Sequence, residues 1–476
     1  MTRLKGLDAT FLYVETERMP MNIGSVQVID VPAERRDTFF AEFKQMIRSR
    51  SHLLPYLTHR VENAPLQIDH PNWRAVEPDY DAQIEHVALP APGDMLQLEQ
   101  TVAGLHARPL DRTRPLWKIY YIDGLAGGRS AYFNVVHHAC LDGLAGQTAV
   151  DVLTDAAEYV VAKAPEREPT PAVPAQRRVD NAALSMTRSI DAWMRLGKRA
   201  LAPKRTSDAE LIAPSTPLNR AIGAARAYAL LRVSMSDVKA IGKVYGCSIN
   251  DVFLTICGGA LRAYLLRKVA LPAASLIAGV PVSLRRADDR TIDNQVTMMR
   301  VPLATHIANP VARLVAIHAS SLEAKALAQD VADALPADLR IPAAPWFGQA
   351  AARLWERSGA ANYVPSLVNV VISNVPGPRD VRYSNGARML THFPVSVPAH
   401  GTGANITVQS YAGHFDIGIT ACAETMPDVA LFRDDLLRAY IDMRALVLKR
   451  RMDVRTLPKR DDVVERRCAQ AELKVA

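Results

Sequence analysis

The chain has 476 residues, 49% of them hydrophobic and 22% charged, with a formal net charge of +8 and a pI near 9.2. That length can hold two domains with sizeable cores, and the composition excludes a disordered chain. The positive excess suits an anionic ligand or an anionic membrane surface but is too dispersed to argue for nucleic acid.

The five cysteines, at 140, 247, 257, 422 and 468, form no CxxC pair. This argues for a reducing compartment and against a zinc site. The opening Met1-Thr-Arg-Leu-Lys-Gly-Leu-Asp8 lacks the apolar core of a signal peptide. No run is expected to supply the roughly 18 apolar residues of a transmembrane helix, so membrane contact is expected to be peripheral and the compartment cytoplasmic.

Strand-like and helix-like segments alternate over the first 160 or so residues. Gly24–Asp30 alternates as a strand, and Asp37–Arg50 has apolar residues at helical spacing. Lys118–Ile122 and Tyr132–Val136 flank Gly124-Leu-Ala-Gly-Gly-Arg129 and predict a hairpin. From Lys163 to Pro217 seven prolines and many charges mark an interdomain linker. Beyond it, Val238–Ile241 and Asn250–Lys268 read as helices and Leu276–Val282 as a buried strand. Asn405–Tyr411 and Phe415–Ala421 read as a second hairpin joined by Ala-Gly-His, and Leu431–Arg451 as a helix. The order predicts an α/β protein divided at 1–162, 163–217 and 218–476.

The most informative segment is His137-His138-Ala-Cys140-Leu-Asp142-Gly143. The apolar Ser130-Ala-Tyr-Phe-Asn-Val-Val136 runs into it as a buried strand, and Leu144–Leu153 leaves it as a helix. The histidines therefore stand at a rigid strand end, where a neutral imidazole is suited to removing a proton near pH 7.

This segment resembles the HHxxxDG signature of the chloramphenicol acetyltransferase-like superfamily, which includes peptide-synthetase condensation domains. Within it the chain most resembles the bacterial wax ester synthase/diacylglycerol acyltransferases. Further blocks carry the resemblance in family order: Leu7–Val14 with Met19-Pro-Met-Asn22, Arg114-Pro-Leu-Trp117, Ile249-Asn-Asp-Val-Phe-Leu254, Pro281-Val-Ser-Leu-Arg285 and Ser373-Asn-Val-Pro-Gly-Pro378. The resemblance implies mixed-sheet α/β domains, two similar halves with the active site in a tunnel between them.

The same resemblance implies that His138 is the general base. His137 then has an orienting part, with substrate contact left open. Asp142 either joins a His-Asp relay or, as is usual in the superfamily, pairs with an arginine, for which Arg285 is the candidate. Gly143 permits a tight turn. Asn250 and Asp251 are explained by helix capping alone, and the resemblance adds that Asn250 could contact the oxyanion or the attacking hydroxyl. Cys140 offers a Cys-His nucleophile, against which a small apolar filler is the better reading. Trp117 reads as core and Ser373–Pro378 as turn chemistry.

Between Met186 and Leu201, Ile190, Trp193 and Met194 share one helical face, with Arg188, Arg195, Lys198 and Arg199 on the other side. This predicts a basic amphipathic helix, either a foot on an anionic bilayer or lipid droplet or a packed surface element.

The implied function is transfer of a long-chain acyl group from acyl-coenzyme A, a co-substrate, to diacylglycerol or a long-chain alcohol, with no metal or resident cofactor. A carrier-protein-dependent condensation enzyme and a non-catalytic lipid-binding homologue are the rivals. The intact His-His-Asp-Gly argues against the second.

Overall fold

The computed structural model describes residues 2–4, 6–64, 69–141, 143–157, 212–283, 296–334 and 345–456. Strands of the first half are β1 (Thr2–Arg3), β2 (Asn22–Asp30), β3 (His59–Glu62), β4 (Asn72–Ala75), β5 (Ile84–Ala88), β6 (Trp117–Leu125) and β7 (Arg129–His137). Those of the second half are β8 (Arg226–Ser234), β9 (Ile277–Ser283), β10 (Val296–Pro302), β11 (Val370–Val375), β12 (Tyr383–Ser384), β13 (Ala387–Met389), β14 (Phe393–Val395), β15 (Ala404–Tyr411) and β16 (His414–Cys422).

Two large mixed sheets organise these strands. The first runs β12-β13-β2-β7-β6-β5, with β14 also pairing with β2, and the second runs β10-β9-β11-β15-β16-β8. Most pairs are antiparallel, but β5 lies parallel to β6, and β11 lies parallel to both β9 and β15. The fold is thus the mixed α/β arrangement the sequence predicts.

Local chemistry explains the elements around the site. In β2 and β7 apolar residues dominate, and the strands pair in a register that sets Asn22 opposite His137. The helix Arg36–Arg50 buries Phe39, Phe43, Met46 and Ile47, spaced for one face, in a core shared with Leu57, Trp117, Tyr121 and Tyr132. The β6–β7 turn carries Gly127 and Gly128 at positive φ, a region that side chains with a Cβ disfavour. At the β15–β16 hairpin both Ala412 and Gly413 have positive φ, matching the strand twist as a type I′ turn does.

The second sheet is covered by helices Met235–Tyr245, Ile249–Arg267, Pro310–Ala334 and Val429–Thr456. Three sequence expectations change here. Ile249–Arg267 is long and apolar enough to cross a membrane, with a window of mean hydropathy 1.3, contrary to the expectation that no such run exists. Its 67% burial, through Phe253, Leu254, Leu261 and Leu265, makes it a core helix. Its N-cap is Ser248 rather than Asn250: the Ser248 side chain accepts from Asp251 N–H, and the Asp251 carboxylate accepts from Ser248 N–H, a reciprocal capping box. Ser373-Asn-Val375 is strand β11, and the turn chemistry begins only at Pro376.

One connection has no counterpart in the sequence reading. Residues 383–395 leave the second half and add β12, β13 and β14 to the first sheet, with Met389 opposite Ile29 and Phe393 opposite Val26. Because β14 also packs on β16, this crossover clamps the two sheets together. Residues 163–211 of the expected linker, with the amphipathic segment Met186–Leu201, and Asp142 and Arg285 lie outside the described residues.

Candidate active site

His137 ends β7 and His138 follows it in a hydrogen-bonded turn. The Cys140 N–H donates to the His137 carbonyl at 2.9 Å, and helix Gly143–Leu153 starts just beyond. His137 is fully buried and faces away from any open space. Its Nδ1 accepts the Ala139 N–H at 3.0 Å, so the ring proton resides on Nε2, which points to Glu15 Oε1 at 3.3 Å. Burial pushes the Glu15 carboxyl up, but His137 and Arg112 outweigh it and hold the group down at about 2. His137 is therefore locked in place by its neighbours, which suits the orienting part expected of it.

Glu15 also ties down Met19–Asn22. Its Oε1 accepts the Met21 N–H at 3.2 Å, and the Met21 carbonyl accepts the His138 N–H at 2.7 Å. Asn22 is held in turn by the carbonyl of Arg108 and by His106 Nε2, which lies 2.8 Å from its own carbonyl. The His138 backbone is thus fixed from two sides, and its ring stacks on Phe11 of helix Gly6–Val14.

The His138 side chain lines a cavity with about 1180 Å³ of empty space, its open mouth included. Walls come from both sheets. The first supplies Ile23, Trp117 and Val136, with Leu141 from the turn after β7, and the second supplies Ser373, Val375, Thr407 and Gln409. An apolar cavity with a few convergent polar groups is the usual form of a site for an apolar substrate.

Its polar residues were missed in the sequence. Ser25, Gln27, Asn134, His392, Thr407 and Gln409 also line it. With the amide oriented to satisfy both of its atoms, Gln27 donates to the Tyr132 carbonyl and accepts from His392 Nε2, each at 3.1 Å. Burial pushes His392 down to about 4, so it is neutral. Its backbone N–H donates to Asp416, which is paired with Arg232. A signal was present: Ser25 with Gln27, and Thr407 with Gln409, are polar residues at alternate positions of otherwise apolar strands, the spacing that puts both on one face.

The remaining expected residues divide as follows. Asn250 occupies the first turn of its helix and is not among the described residues lining this cavity. Asp251 is consumed by the cap and by His318 Nδ1 at 2.8 Å. Cys140 is buried in the first core, where burial drives its thiol far above the usual range, so it is a filler and not a nucleophile. Trp117 is buried, donates to the Leu57 carbonyl at 3.0 Å and also lines the cavity. Among the described residues no three His, Cys, Asp or Glu side chains cluster to hold a metal.

The model of the wax ester synthase/diacylglycerol acyltransferase catalytic domain matches residues 4–253, and that of the C-terminal domain of the same family matches residues 292–444. The chain belongs to the wax ester synthase/diacylglycerol acyltransferase family. A Mycobacterium tuberculosis H37Rv protein provisionally named a diacylglycerol O-acyltransferase is 35% identical over 436 residues, covering 89% of this chain and 95% of that one. A Mycobacterium bovis protein with the same provisional name is 33% identical over 461 residues, covering 90% and 88%.

The solved wax ester synthase/diacylglycerol acyltransferase from Marinobacter aquaeolei VT8 matches with a TM-score of 0.70 at 25% identity, over 94% of this chain and 100% of that one. A starter condensation domain of rhizomide synthetase shares the fold, with a TM-score of 0.54 at 14% identity over 94% and 95%. The wax ester synthase/diacylglycerol acyltransferase chain is accordingly an acyltransferase with a two-domain, condensation-like fold.

Proposed function

We propose that this acyltransferase moves a long-chain acyl group from acyl-coenzyme A to the hydroxyl of diacylglycerol or of a long-chain alcohol, with His138 as general base. The observation that carries the reading is the placement of His138 on the wall of an apolar cavity built from both sheets. The acceptor hydroxyl oxygen would attack the thioester carbonyl while the His138 imidazole takes its proton. Collapse of the tetrahedral intermediate would break the C–S bond, and the imidazolium would return the proton to the leaving thiolate. Holding both substrates together supplies much of the acceleration. The reaction needs neither a metal nor a resident cofactor. The enzyme would work from the cytoplasmic side, peripherally attached to a membrane or lipid droplet.

The test is release of free coenzyme A from one long-chain acyl-coenzyme A across a panel of acceptors, with product identified by mass. Ester formation with diacylglycerol or a fatty alcohol is expected. His138→Ala should lose about 10²–10⁴-fold in rate with the fold intact. Turnover only with a carrier-protein thioester would replace the donor assigned here. Unchanged turnover by His138→Ala would remove the base.

A further inference from the structure

The helix Pro345–Ser358 is inside out. A surface helix normally turns its apolar stripe to the core and its polar stripe to water. Here Gln349 and Glu356 face the protein together with Gly348 and Ala352. Gly348 sits on Tyr13, where a methyl group would come within 3.3 Å of Tyr13 Cβ. Glu356 accepts from Thr16 Oγ1 and lies 3.5 Å from His400 Nε2. The outward side carries Phe347 and Leu354, flanked by Trp346 and Trp355, with exposures of 56%, 69%, 54% and 38%. The chain leaving the helix adds Tyr363 and Leu367, exposed by 85% and 65%. Single exposed apolar residues are ordinary, but a run of this size on one face marks an interaction surface.

We propose that this face is the protein's foot on an anionic lipid surface. Three observations favour lipid over protein. First, the exposed charges of the helix are Arg353 and Arg357, while its one carboxylate, Glu356, is turned inward, so the face is complementary to anionic headgroups. Second, a two-fold pairing of two such faces would set cations against cations. Third, the helix packs on Gly6–Val14, whose Phe11 stacks on His138, so the foot stands one helix away from the proposed base. Tryptophan and tyrosine flanking aliphatic residues are also the side chains that settle at a membrane interface. This inference rests on the reading that the acceptors are lipids, and it differs from the expectation that placed the foot on Met186–Leu201.

Co-sedimentation with vesicles of phosphatidylcholine mixed with phosphatidylglycerol tests it. Phe347→Asp combined with Leu354→Asp should weaken vesicle binding by about 100-fold, since both side chains lose a buried apolar environment. Arg353→Gln with Arg357→Gln should cost about tenfold on the mixed vesicles and little on phosphatidylcholine alone. Ile190→Asp with Trp193→Asp should leave binding in place. All three pairs should keep wild-type turnover of a short-chain, water-soluble alcohol, which also verifies folding. Failure of the wild type on that alcohol and on dispersed lipids alike would sink the proposed reaction, while the vesicle result would still stand. Unchanged binding by the Phe347/Leu354 variant would overturn the foot. So would release by the Ile190/Trp193 variant alone, or conversion of a wild-type dimer to monomer by Phe347→Asp with Leu354→Asp.

Discussion

The ring of Phe11 lies flat against the imidazole of His138, with centroids 4.1 Å apart and planes 11° from parallel. Phe11 comes from the first helix and His138 from the end of a central strand, so the contact joins segments more than a hundred residues apart. The backbone of His138 is fixed by the Met21 carbonyl, and the stack acts on the ring itself. The stack contributes to holding the plane of the ring at the cavity wall.

Phe11→Leu should therefore lower kcat by about tenfold with little change in KM, because an aromatic pair of this kind contributes roughly 0.5–1.5 kcal/mol beyond burial. Phe11→Tyr, which keeps the ring, should restore most of the rate. Steady-state kinetics of both variants decide it, and a change confined to KM would mean that Phe11 merely lines the substrate path.

Glu15→Gln should weaken the fold near neutral pH. The ionised carboxyl, held at about 2 against an ordinary 4.5, is bound more favourably in the folded chain than in the unfolded one. Its contribution is present above about pH 4.5 and fades as pH falls toward 2, amounting at neutral pH to roughly 3 kcal/mol. Melting curves of wild type and variant should be well separated at about pH 7, draw together below about pH 4.5 and converge only near about pH 2. A separation that does not depend on pH would show that the ionisation of Glu15 carries none of it.

Arg232→Met should also cost more as pH rises, here through a carboxyl that the fold lifts rather than lowers. Arg232 Nε lies 2.9 Å from Asp416 Oδ1, and burial lifts the Asp416 carboxyl to about 6 despite that cation. A carboxyl raised in the fold stabilises when protonated, and that stabilisation is lost as pH rises through its folded value. Removing Arg232 leaves a buried carboxylate unpaired above that value, a loss of up to about 3–5 kcal/mol. Thermal melts should show a small deficit at about pH 5 and a larger one at about pH 8. An equal deficit at both would rule out Asp416 as its source.

Gly418→Ala should disrupt the crossover. A Cβ at Gly418 would stand 1.7 Å from the Pro394 carbonyl oxygen, and that oxygen also accepts the Tyr228 hydroxyl at 2.9 Å. Strand β14 would have to lift off β16, at a cost of about 1–3 kcal/mol or more. Tyr228→Phe, which removes only the hydrogen bond, should cost about 1 kcal/mol. Equal melting temperatures for Gly418→Ala and wild type would mean that the two sheets are not held at this point.

The sequence by itself determined the local elements and the identity of the His138 strand end. The apolar run Ser130–Val136 has to be a buried strand, the glycines after Leu125 have to turn, and Phe39, Phe43 and Ile47 have to share a helical face. These are short-range consequences of side-chain period and backbone freedom. The His-His-Asp-Gly spacing, together with separated blocks in order, was enough to indicate the family.

Tertiary structure decided what depends on contacts between distant residues. Ser248, not Asn250, caps its helix, because the reciprocal bonds with Asp251 satisfy two backbone and side-chain partners at once. No local pattern announces that residues 383–395 return to pair with β2, since strand pairing across a whole chain is set by which edges the packed layers leave open. The partner of His137 is Glu15, over a hundred residues earlier, and the polar residues of the cavity come from strands of both sheets. The outward apolar face of Pro345–Ser358 is the clearest case. Its period is legible in the sequence, but a period carries no direction. Only the packing of Gly348 on Tyr13 and of Glu356 on Thr16 shows which side was left to meet something other than the core.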